Sequence, residues 1–204
     1  MRQNRQGMTD MANLEEQQVE KQPKTKKDIV KLIVEWIIYF VIIFSVSYLI
    51  LNYVGQRTLV DGSSMAPTLH NGDSVVVDKL SYRFGEPERF DIVVFRYLPK
   101  DETYYIKRII GLPGETVQII DGYVYINGEK LVSDVYGSAV MLEPGRAKEP
   151  ITLGEYEYFV LGDNRNGSAD SRMENVGNVE ISQIVGKAFV RVWPLKSIGI
   201  LRHQ

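Results

Sequence analysis

The sequence contains no cysteine and only two histidines, His70 and His203, among its 204 residues. Without cysteine, the chain cannot form disulfides, bind zinc or iron–sulfur clusters through thiolates, or use a thiol nucleophile. Two histidines are too few for a multi-histidine metal site, and a Ser-His-Asp triad would depend on His70. The formal net charge of -2 argues against a general nucleic-acid partner. The length suits one folded domain with an attachment.

The first fifty residues combine a polar segment with an apolar run. Residues 1–31 are polar, without apolar periodicity, and are predicted to form a solvated tail. The sixteen residues that begin at Trp36 carry no charge, and extending this run back by four residues adds only Glu35. About twenty helical residues span a hydrocarbon core of about 30 Å. We therefore predict a transmembrane helix over residues 32–54.

The apolar run has two alternative interpretations, a buried core helix and a cleaved signal peptide. A core helix of this length normally shows a polar face, which this run hardly has. A signal peptide has a shorter apolar region followed by small residues, and no Ala-x-Ala site follows this run. Five lysines precede the run and one arginine follows it closely. This asymmetry predicts a single-pass cell-membrane protein with a cytoplasmic N-terminus and an extracytoplasmic remainder.

Residues 55–204 are predicted to form a mostly β, antiparallel ectodomain. Short apolar or β-branched runs alternate with turn signals such as Asp121-Gly122 and Asn127-Gly128. Residues 130–155 are rich in glycine, proline and charge, which predicts an irregular insertion. The predicted strands are Val75–Val77, Asp91–Tyr97, Tyr104–Ile110, Thr116–Ile120, Tyr123–Ile126, Tyr156–Leu161 and Val185–Val192.

Two adjacent serines, Ser63 and Ser64, lie between Gly62 and Met65 in a segment that could hold a nucleophile. The glycine permits close approach of the backbone to a ligand. A serine hydroxyl is a poor nucleophile at its ordinary pKa and needs a neighbouring base. His70 is an unfavourable base because it is close to Ser64 in sequence and lies in a predicted turn, where we expect it to be exposed. A plain serine-rich turn is the alternative interpretation.

Lys107 is the better candidate base because apolar residues flank it in a predicted strand. Side chains alternate along a strand, so Lys107 shares a face with Tyr105 and Ile109, while Arg108 lies on the other, also apolar, face. One of the two cations is therefore expected to be buried. Burial disfavours the charged form of lysine, and a pKa lowered by roughly 2–3 units would leave it neutral near pH 8. The alternative is an edge-strand lysine whose ammonium reaches solvent.

A third group of polar residues fills Gly162–Arg172. Two acids, two arginines, two serines and two glycines lie within these eleven residues. This composition predicts a loop structured by its own ion pairs and Asx turns. An ordinary surface loop is the alternative, which the apolar strand directly before it disfavours.

In this order, the segments resemble type I signal peptidases, the membrane-bound serine proteases that remove signal peptides from exported proteins. The resemblance covers nearly the whole chain, and the single span and small ectodomain resemble the Gram-positive form. It implies preprotein signal peptides as substrates, a lipid bilayer as anchor, secretion machinery nearby, and no metal or other cofactor. Besides the span, the matching blocks are Ser64–Thr68, Arg89–Phe95, Tyr105–Glu115 and Gly162–Arg172.

The resemblance also implies residue roles. Ser64, just before Met65 of the Ser-Met-x-Pro motif, would be the nucleophile, and Lys107 the general base of an acyl-enzyme reaction that cleaves after Ala-x-Ala. Ser168 would orient the lysine by a hydrogen bond. Gly62 is a departure, because some members have a hydroxyl donor to the oxyanion there, which leaves the Ser64 N–H as donor. Ion pairs that organise the site would involve Arg108, Asp163, Asp170 and Arg172.

Two other functions fit part of the sequence. A self-cleaving repressor could share a serine–lysine dyad, but such proteins carry an N-terminal DNA-binding module where this chain has a polar tail and an apolar run. A non-catalytic, membrane-tethered β module that binds cell-surface ligands would explain the run and the strands. It would leave the lysine among apolar strand residues and the Gly162–Arg172 loop unexplained.

Overall fold

The computed structural model describes residues 26–49, 55–137 and 139–201. Most of the predicted polar tail, residues 1–25, and the junction 50–54 lie outside the described residues. The chain divides into two units, residues 1–47 and 48–204, which are described one at a time.

Helix α1, Lys26–Leu49, contains the apolar run. Its residues Lys26–Tyr48 are long and apolar enough to cross a membrane, with a mean hydropathy of 2.4 and 0% of the apolar stretch buried. The helix begins six residues before the predicted span, and its first turn holds Asp28. A carboxylate is favourable there because the helix dipole places partial positive charge at the N-terminal end.

The second unit is mostly β, which confirms the predicted fold class, and every strand pairing is antiparallel. A short helix, α2 (Ser81–Phe84), lies between the second and third strands. The strands are β1 (Gly55–Leu59), β2 (Ser74–Asp78), β3 (Ile92–Arg96), β4 (Tyr104–Gly111), β5 (Thr116–Ile120), β6 (Tyr123–Ile126), β7 (Glu129–Lys130), β8 (Ile151–Thr152), β9 (Glu157–Leu161), β10 (Val179–Glu180), β11 (Ile184–Trp193) and β12 (Gly199–Ile200).

These strands form two sheets in the described part of the chain. The larger has the order β1-β2-β11-β3-β4-β9-β10, with β12 paired to β11, and the smaller has the order β7-β6-β5-β8. Long-range pairing therefore brings β11, near the end of the chain, between β2 and β3. The site-bearing strand β4 lies between β3 and β9 and continues towards the smaller sheet.

The strand predictions at Thr116–Ile120 and Tyr123–Ile126 match β5 and β6 residue for residue. The sequence does not predict β1, because Gly-Gln-Arg-Thr-Leu lacks an alternation of apolar and polar residues. In the structure, this segment is a strand because it pairs with β2. Residues 130–155 are also less irregular than expected. They include β8 and a 3₁₀ turn at Gly145–Lys148, because pairing to the smaller sheet orders segments with little propensity of their own.

The core that matters for the site lies beneath the segment between β1 and β2. Val60, Met65 and Leu69 are at most 3% exposed and pack with Ile92 and Ala188 in one apolar cluster. This burial fixes the ends of the serine-containing turn on the sheet. A second cluster joins the smaller sheet to the end of β4 and to β9. Ile106, next to Lys107 in β4, packs on the same cluster as Met65, so one part of the interior holds both the serine turn and this strand.

Candidate active site

The turn that carries the two serines is anchored by side chains on both sides. Met65, which follows Ser64, is 1% exposed and points into the core, so the neighbouring serine is held at the surface of the cluster. Gly62 has a φ of +96°, a left-handed conformation that favours glycine. Its N–H donates to Oδ1 of Asn71 at 2.9 Å. Ser64 is half-buried, whereas Ser63 is exposed.

Lys107 reaches Ser64 directly. Its Nζ lies 2.8 Å from Oγ of Ser64 and donates to the carbonyl of Ile106 at 2.9 Å. The residue is only 3% exposed, and the ring of Tyr105 lies 5.1 Å from Nζ. Burial lowers the pKa of Lys107 from 10.5 to about 8, against the smaller opposite effect of the nearby carboxylates. The lysine is thus poised to exchange a proton with Ser64 in mildly alkaline solution.

Arg108 is also buried, so both cations of the pair are removed from solvent where one was expected. Its Nε and Nη2 donate to the two carboxylate oxygens of Asp163 at 2.8 and 2.7 Å, and its Nη1 donates to the carbonyl of Phe90 at 2.8 Å. Both partners of this ion pair are 0% exposed. Two cations fit within this strand because Arg108 has a full carboxylate partner and Lys107 has a lowered pKa.

The loop Gly162–Arg172 folds against the serine turn. Asp170 forms a two-point ion pair with Arg172 and accepts a hydrogen bond from the N–H of Gly162 at 3.1 Å. Asn164 donates its own N–H to the Ser64 carbonyl at 3.0 Å and its side-chain amide to the Ser63 carbonyl at 3.2 Å. A side chain at position 162 would overlap the Ser64 carbonyl and Ser168, so the close approach requires glycine.

Ser168 differs from its predicted geometry. Its hydroxyl is buried beside Gly162 and has no hydrogen-bond partner among the described residues. The predicted hydrogen bond to Lys107 is not formed in this structure, in which Nζ contacts Ser64 and the Ile106 carbonyl. The other predicted site residues, Ser64, Lys107, Arg108, Asp163, Asp170, Arg172, Gly62 and Met65, come together around the two serines and the loop. His70 is exposed in its turn, as expected.

Sequence reasoning missed four residues that shape this site. Asn71 and Asn164 hold the backbone of the serine turn, and Arg165 joins Asp134 in a buried ion pair. Asn164 and Arg165 lie within the loop that the sequence predicts to be structured, but the sequence does not show which groups they bind. Asp134 lies in the predicted insertion, where no local pattern distinguishes it from a solvent-exposed carboxylate.

A cleft of about 340 Å³ opens beside the Ser64–Lys107 pair. Its walls are residues of β1 and the serine turn on one side and the start of β4 on the other, with Gly167 and Ala169 from the loop. Residues 104–107 pair with β3 along one edge, and β9 begins to pair only at Arg108. No group of three or more acidic or histidine side chains in the described residues could hold a metal ion.

In this antiparallel β domain a serine hydroxyl beside an open cleft lies within hydrogen-bond reach of a buried lysine, the arrangement of a nucleophile and its base in serine hydrolases. Comparison with known proteins agrees. A family model described as signal peptidase, peptidase S26, matches residues 33–193. A probable signal peptidase I-2 of Synechocystis is 40% identical over 157 residues, which cover 74% of this chain and 68% of that protein.

Signal peptidase I S of Bacillus subtilis is 38% identical over 179 residues, which cover 82% of this chain and 93% of that protein. A crystal structure of a signal peptidase I from Enterococcus faecalis V583 covers 50% of this chain and 97% of its own, at 37% identity and a TM-score of 0.42. The chain belongs to the signal peptidase family S26. It is therefore an enzyme, a hydrolase of the class that cleaves signal peptides, and its apolar helix fits a membrane-anchored protein.

Proposed function

We propose that the protein cleaves signal peptides from exported preproteins through an acyl-enzyme, with Ser64 as nucleophile and Lys107 as general base. The observation that carries this proposal is the 2.8 Å contact between Nζ and Oγ, together with the burial that lowers the pKa of Lys107 to about 8. A lysine with this pKa is largely neutral in mildly alkaline solution. It can then accept the serine proton, which a lysine at its ordinary pKa cannot do.

In the proposed reaction, neutral Lys107 takes the Ser64 proton as Oγ attacks the carbonyl carbon of the scissile peptide. The backbone N–H of Ser64 donates to the oxyanion. The lysine then gives its proton to the leaving amine, and the N-terminus of the mature protein departs. Lys107 next removes a proton from water, which attacks the ester; the acyl carbon–Oγ bond breaks, the signal peptide leaves as a free carboxylate, and the lysine returns the proton to Oγ of Ser64. Asp163, Asp170, Arg108 and Arg172 hold the loop and do not exchange protons in these steps.

The substrate is proposed to bind as an extended strand along the free edge of residues 104–107. A peptide there would pair with the backbone beside Lys107 and present alternate side chains to the cleft. Leu59, Val94 and Ile106 contribute apolar side chains to the wall of the cleft. These features support small apolar residues at positions −1 and −3 of the signal peptide, as in Ala-x-Ala.

Two neighbouring residues have supporting roles in this proposal. The N–H of Gly62 is engaged by Asn71, so this peptide is fixed in orientation and cannot itself bind the oxyanion. Ser168 is proposed to orient Lys107 during turnover. Its hydroxyl is buried beside Gly162 and has no partner among the described residues, so rotation of its side chain breaks no existing bond.

The apolar helix is proposed to cross the cytoplasmic membrane once, with the N-terminus inside and residues 57–204 outside. Five lysines before the span and one arginine just after it support this orientation. The anchor would confine the site to the outer membrane surface, where preproteins and the secretion machinery meet.

The test is cleavage of a purified preprotein by the full-length protein in detergent. We expect cleavage directly after Ala-x-Ala, and no cleavage when the −1 alanine is replaced by a bulky residue such as phenylalanine. Ser64→Ala should abolish processing in a folded protein, whereas Ser63→Ala should be milder because Ser63 does not contact Lys107. A β-lactam-type serine reagent should label Ser64 stoichiometrically. Full activity of Ser64→Ala with loss of activity in Ser63→Ala would contradict the assignment.

A further inference from the structure

The segment Asp134–Gly137 contacts two arginines that hold the loop of the site, although it lies outside the lining of the cleft. It belongs to the region predicted to be an irregular insertion. Three of its four residues contact those arginines: Asp134 through an ion pair, Tyr136 through its ring face and Gly137 through close backbone packing.

Asp134 contacts Arg165 through both carboxylate oxygens. The Nη1 and Nη2 atoms of the arginine donate to them at 2.6 and 2.7 Å. The two side chains are 6% and 4% exposed, so solvent hardly weakens this ion pair. The remaining Nε of Arg165 donates to the carbonyl of Gly162 at 3.1 Å. The carboxylate therefore fixes a guanidinium that in turn fixes the peptide group of Gly162.

Tyr136 contacts the second arginine, Arg108. The guanidinium carbon lies 3.6 Å from the centroid of the tyrosine ring, and Phe90 packs on the same ring at 5.2 Å between centroids. The edge of the guanidinium is occupied by Asp163 and by the Phe90 carbonyl. Tyr136 thus closes the open face of a cation whose hydrogen bonds hold Asp163.

Gly137 allows the segment to pass close to Arg165. A Cβ at this position would lie 2.8 Å from Cζ and 2.9 Å from Nη1 of the arginine. The guanidinium is already held at three points by Asp134 and Gly162, so it has little freedom to move away.

The two contacts converge on the adjacent residues Gly162 and Asp163. Gly162 packs on the Ser64 carbonyl, and the next residue but one, Asn164, donates its N–H to that same carbonyl. We propose that Asp134 and Tyr136 are positioning residues, which hold the 162–164 turn so that Ser64 stays in hydrogen-bond contact with Lys107. This inference rests on the proposed function of the Ser64–Lys107 pair and extends it to a segment that touches neither residue.

The ring contact is tested with two variants of the full-length enzyme on a preprotein peptide. Tyr136→Leu removes the ring face but keeps an apolar side chain, and kcat should fall about tenfold with little change in KM. Tyr136→Phe keeps the face and should restore kcat to within about threefold of the wild type. Glu149→Gln, which removes an exposed carboxylate of the same region, is the matched control and should behave like the wild type. Equal kcat in the leucine and wild-type enzymes would overturn the role of Tyr136.

The ion pair is tested with the double variant Asp134→Leu, Arg165→Met. Replacement of a buried ion pair by apolar residues of similar size often preserves stability. If the pair only stabilises the fold, a double variant that unfolds at the wild-type Tm should also have the wild-type kcat. That result would show that the proposal is wrong. If it positions Gly162, kcat stays at least about tenfold low at wild-type Tm, because the Nε donor is gone. Should the double variant unfold, Asp134→Asn replaces it: a kcat about tenfold low at unchanged KM agrees with the proposal, and a wild-type kcat contradicts it.

A separate outcome identifies failure of the underlying proposal. If Ser64→Ala retains wild-type processing, the Ser64–Lys107 mechanism is wrong whatever the segment does. If Ser64→Ala is inactive while Tyr136→Leu and the variants that remove the Asp134–Arg165 ion pair keep their full kcat, only the positioning role is wrong.

Discussion

Ser64 and Lys107 lie 43 residues apart in the chain, and Oγ of the serine lies 2.8 Å from Nζ of the lysine. The contact joins a turn anchored by Met65 to a strand buried in the larger sheet. Met65 and Ile106, the neighbours of the two groups, pack in the same apolar cluster, which holds the turn and the strand together. This fixed geometry supports proton transfer within an assembled site.

The pH dependence of activity should report Lys107. If Lys107 is the general base, as proposed, it must be neutral in the free enzyme, so kcat/KM should rise about tenfold per pH unit on an acidic limb that levels off near pH 8. Lys107→Arg keeps the charge but cannot lose a proton in a protein, so it should be inactive. Rates measured from pH 6 to 10 test both points. Turnover of Lys107→Arg at the wild-type level would remove the lysine from the mechanism.

The same lysine should cost stability below pH 8. Its folded-state pKa lies below the ordinary 10.5, so the cost is fully present below pH 8 and disappears as the pH rises through 10.5. Lys107→Met should therefore be inactive yet more stable at pH 7, with an upper limit of the order of 3 kcal/mol. Thermal unfolding of the detergent-solubilised protein at pH 7 and pH 10 measures the effect, and the gain should shrink at pH 10. A variant less stable than wild type at both pH values would contradict this account.

Gly162→Ala should impair catalysis through a steric effect. The added methyl group would overlap the Ser64 carbonyl and Ser168, which forces the loop away from the nucleophile. We expect kcat to fall about 100-fold, since small displacements of reacting groups have effects of this size. Gly199→Ala is the matched control, because a Cβ there meets no atom within 4 Å. Comparable kcat values for the two variants would show that the close approach is unimportant.

The buried ion pair between Arg108 and Asp163 should matter more for stability than an exposed one. Asp163→Ala leaves a buried guanidinium without its carboxylate, a change that costs about 3–5 kcal/mol. For a domain of this size, we expect Tm to fall by roughly 10 °C or more. Glu174→Ala breaks an exposed pair with Arg146 at 3.9 Å and should cost less than about 1 kcal/mol. Thermal unfolding of the two variants side by side decides the comparison.

Membrane orientation can be tested in intact cells. Protease added outside protoplasts should digest residues 57–204 and spare an epitope tag placed at the N-terminus, because the lysines before the span favour the cytoplasm. Lysis with detergent is the control that exposes the tag. Digestion of the tag in intact protoplasts would reverse the predicted orientation.

Local sequence patterns were enough to predict the features that a few neighbouring residues determine. Short β-branched and aromatic runs between turn residues placed β5 and β6, and sixteen uncharged residues indicated an apolar helix long enough to cross a membrane. Alternation placed Lys107 and Arg108 on apolar faces of one strand, which led us to expect that one of them is buried, and burial lowers the pKa of Lys107 to about 8. The resemblance to signal peptidases singled out Ser64 of the two adjacent serines.

Tertiary structure alone decided which distant groups meet. Pairing of β1 with β2 made a strand of a segment with no strand-like pattern, and the fold placed Asp134 against Arg165 and Tyr136 against Arg108. It also left the buried Ser168 hydroxyl without the predicted bond to Lys107. These relationships depend on the register and packing of segments tens of residues apart. No local pattern encodes them. The residues around an aspartate or a tyrosine in the sequence do not show whether it will be exposed or will contact a distant arginine.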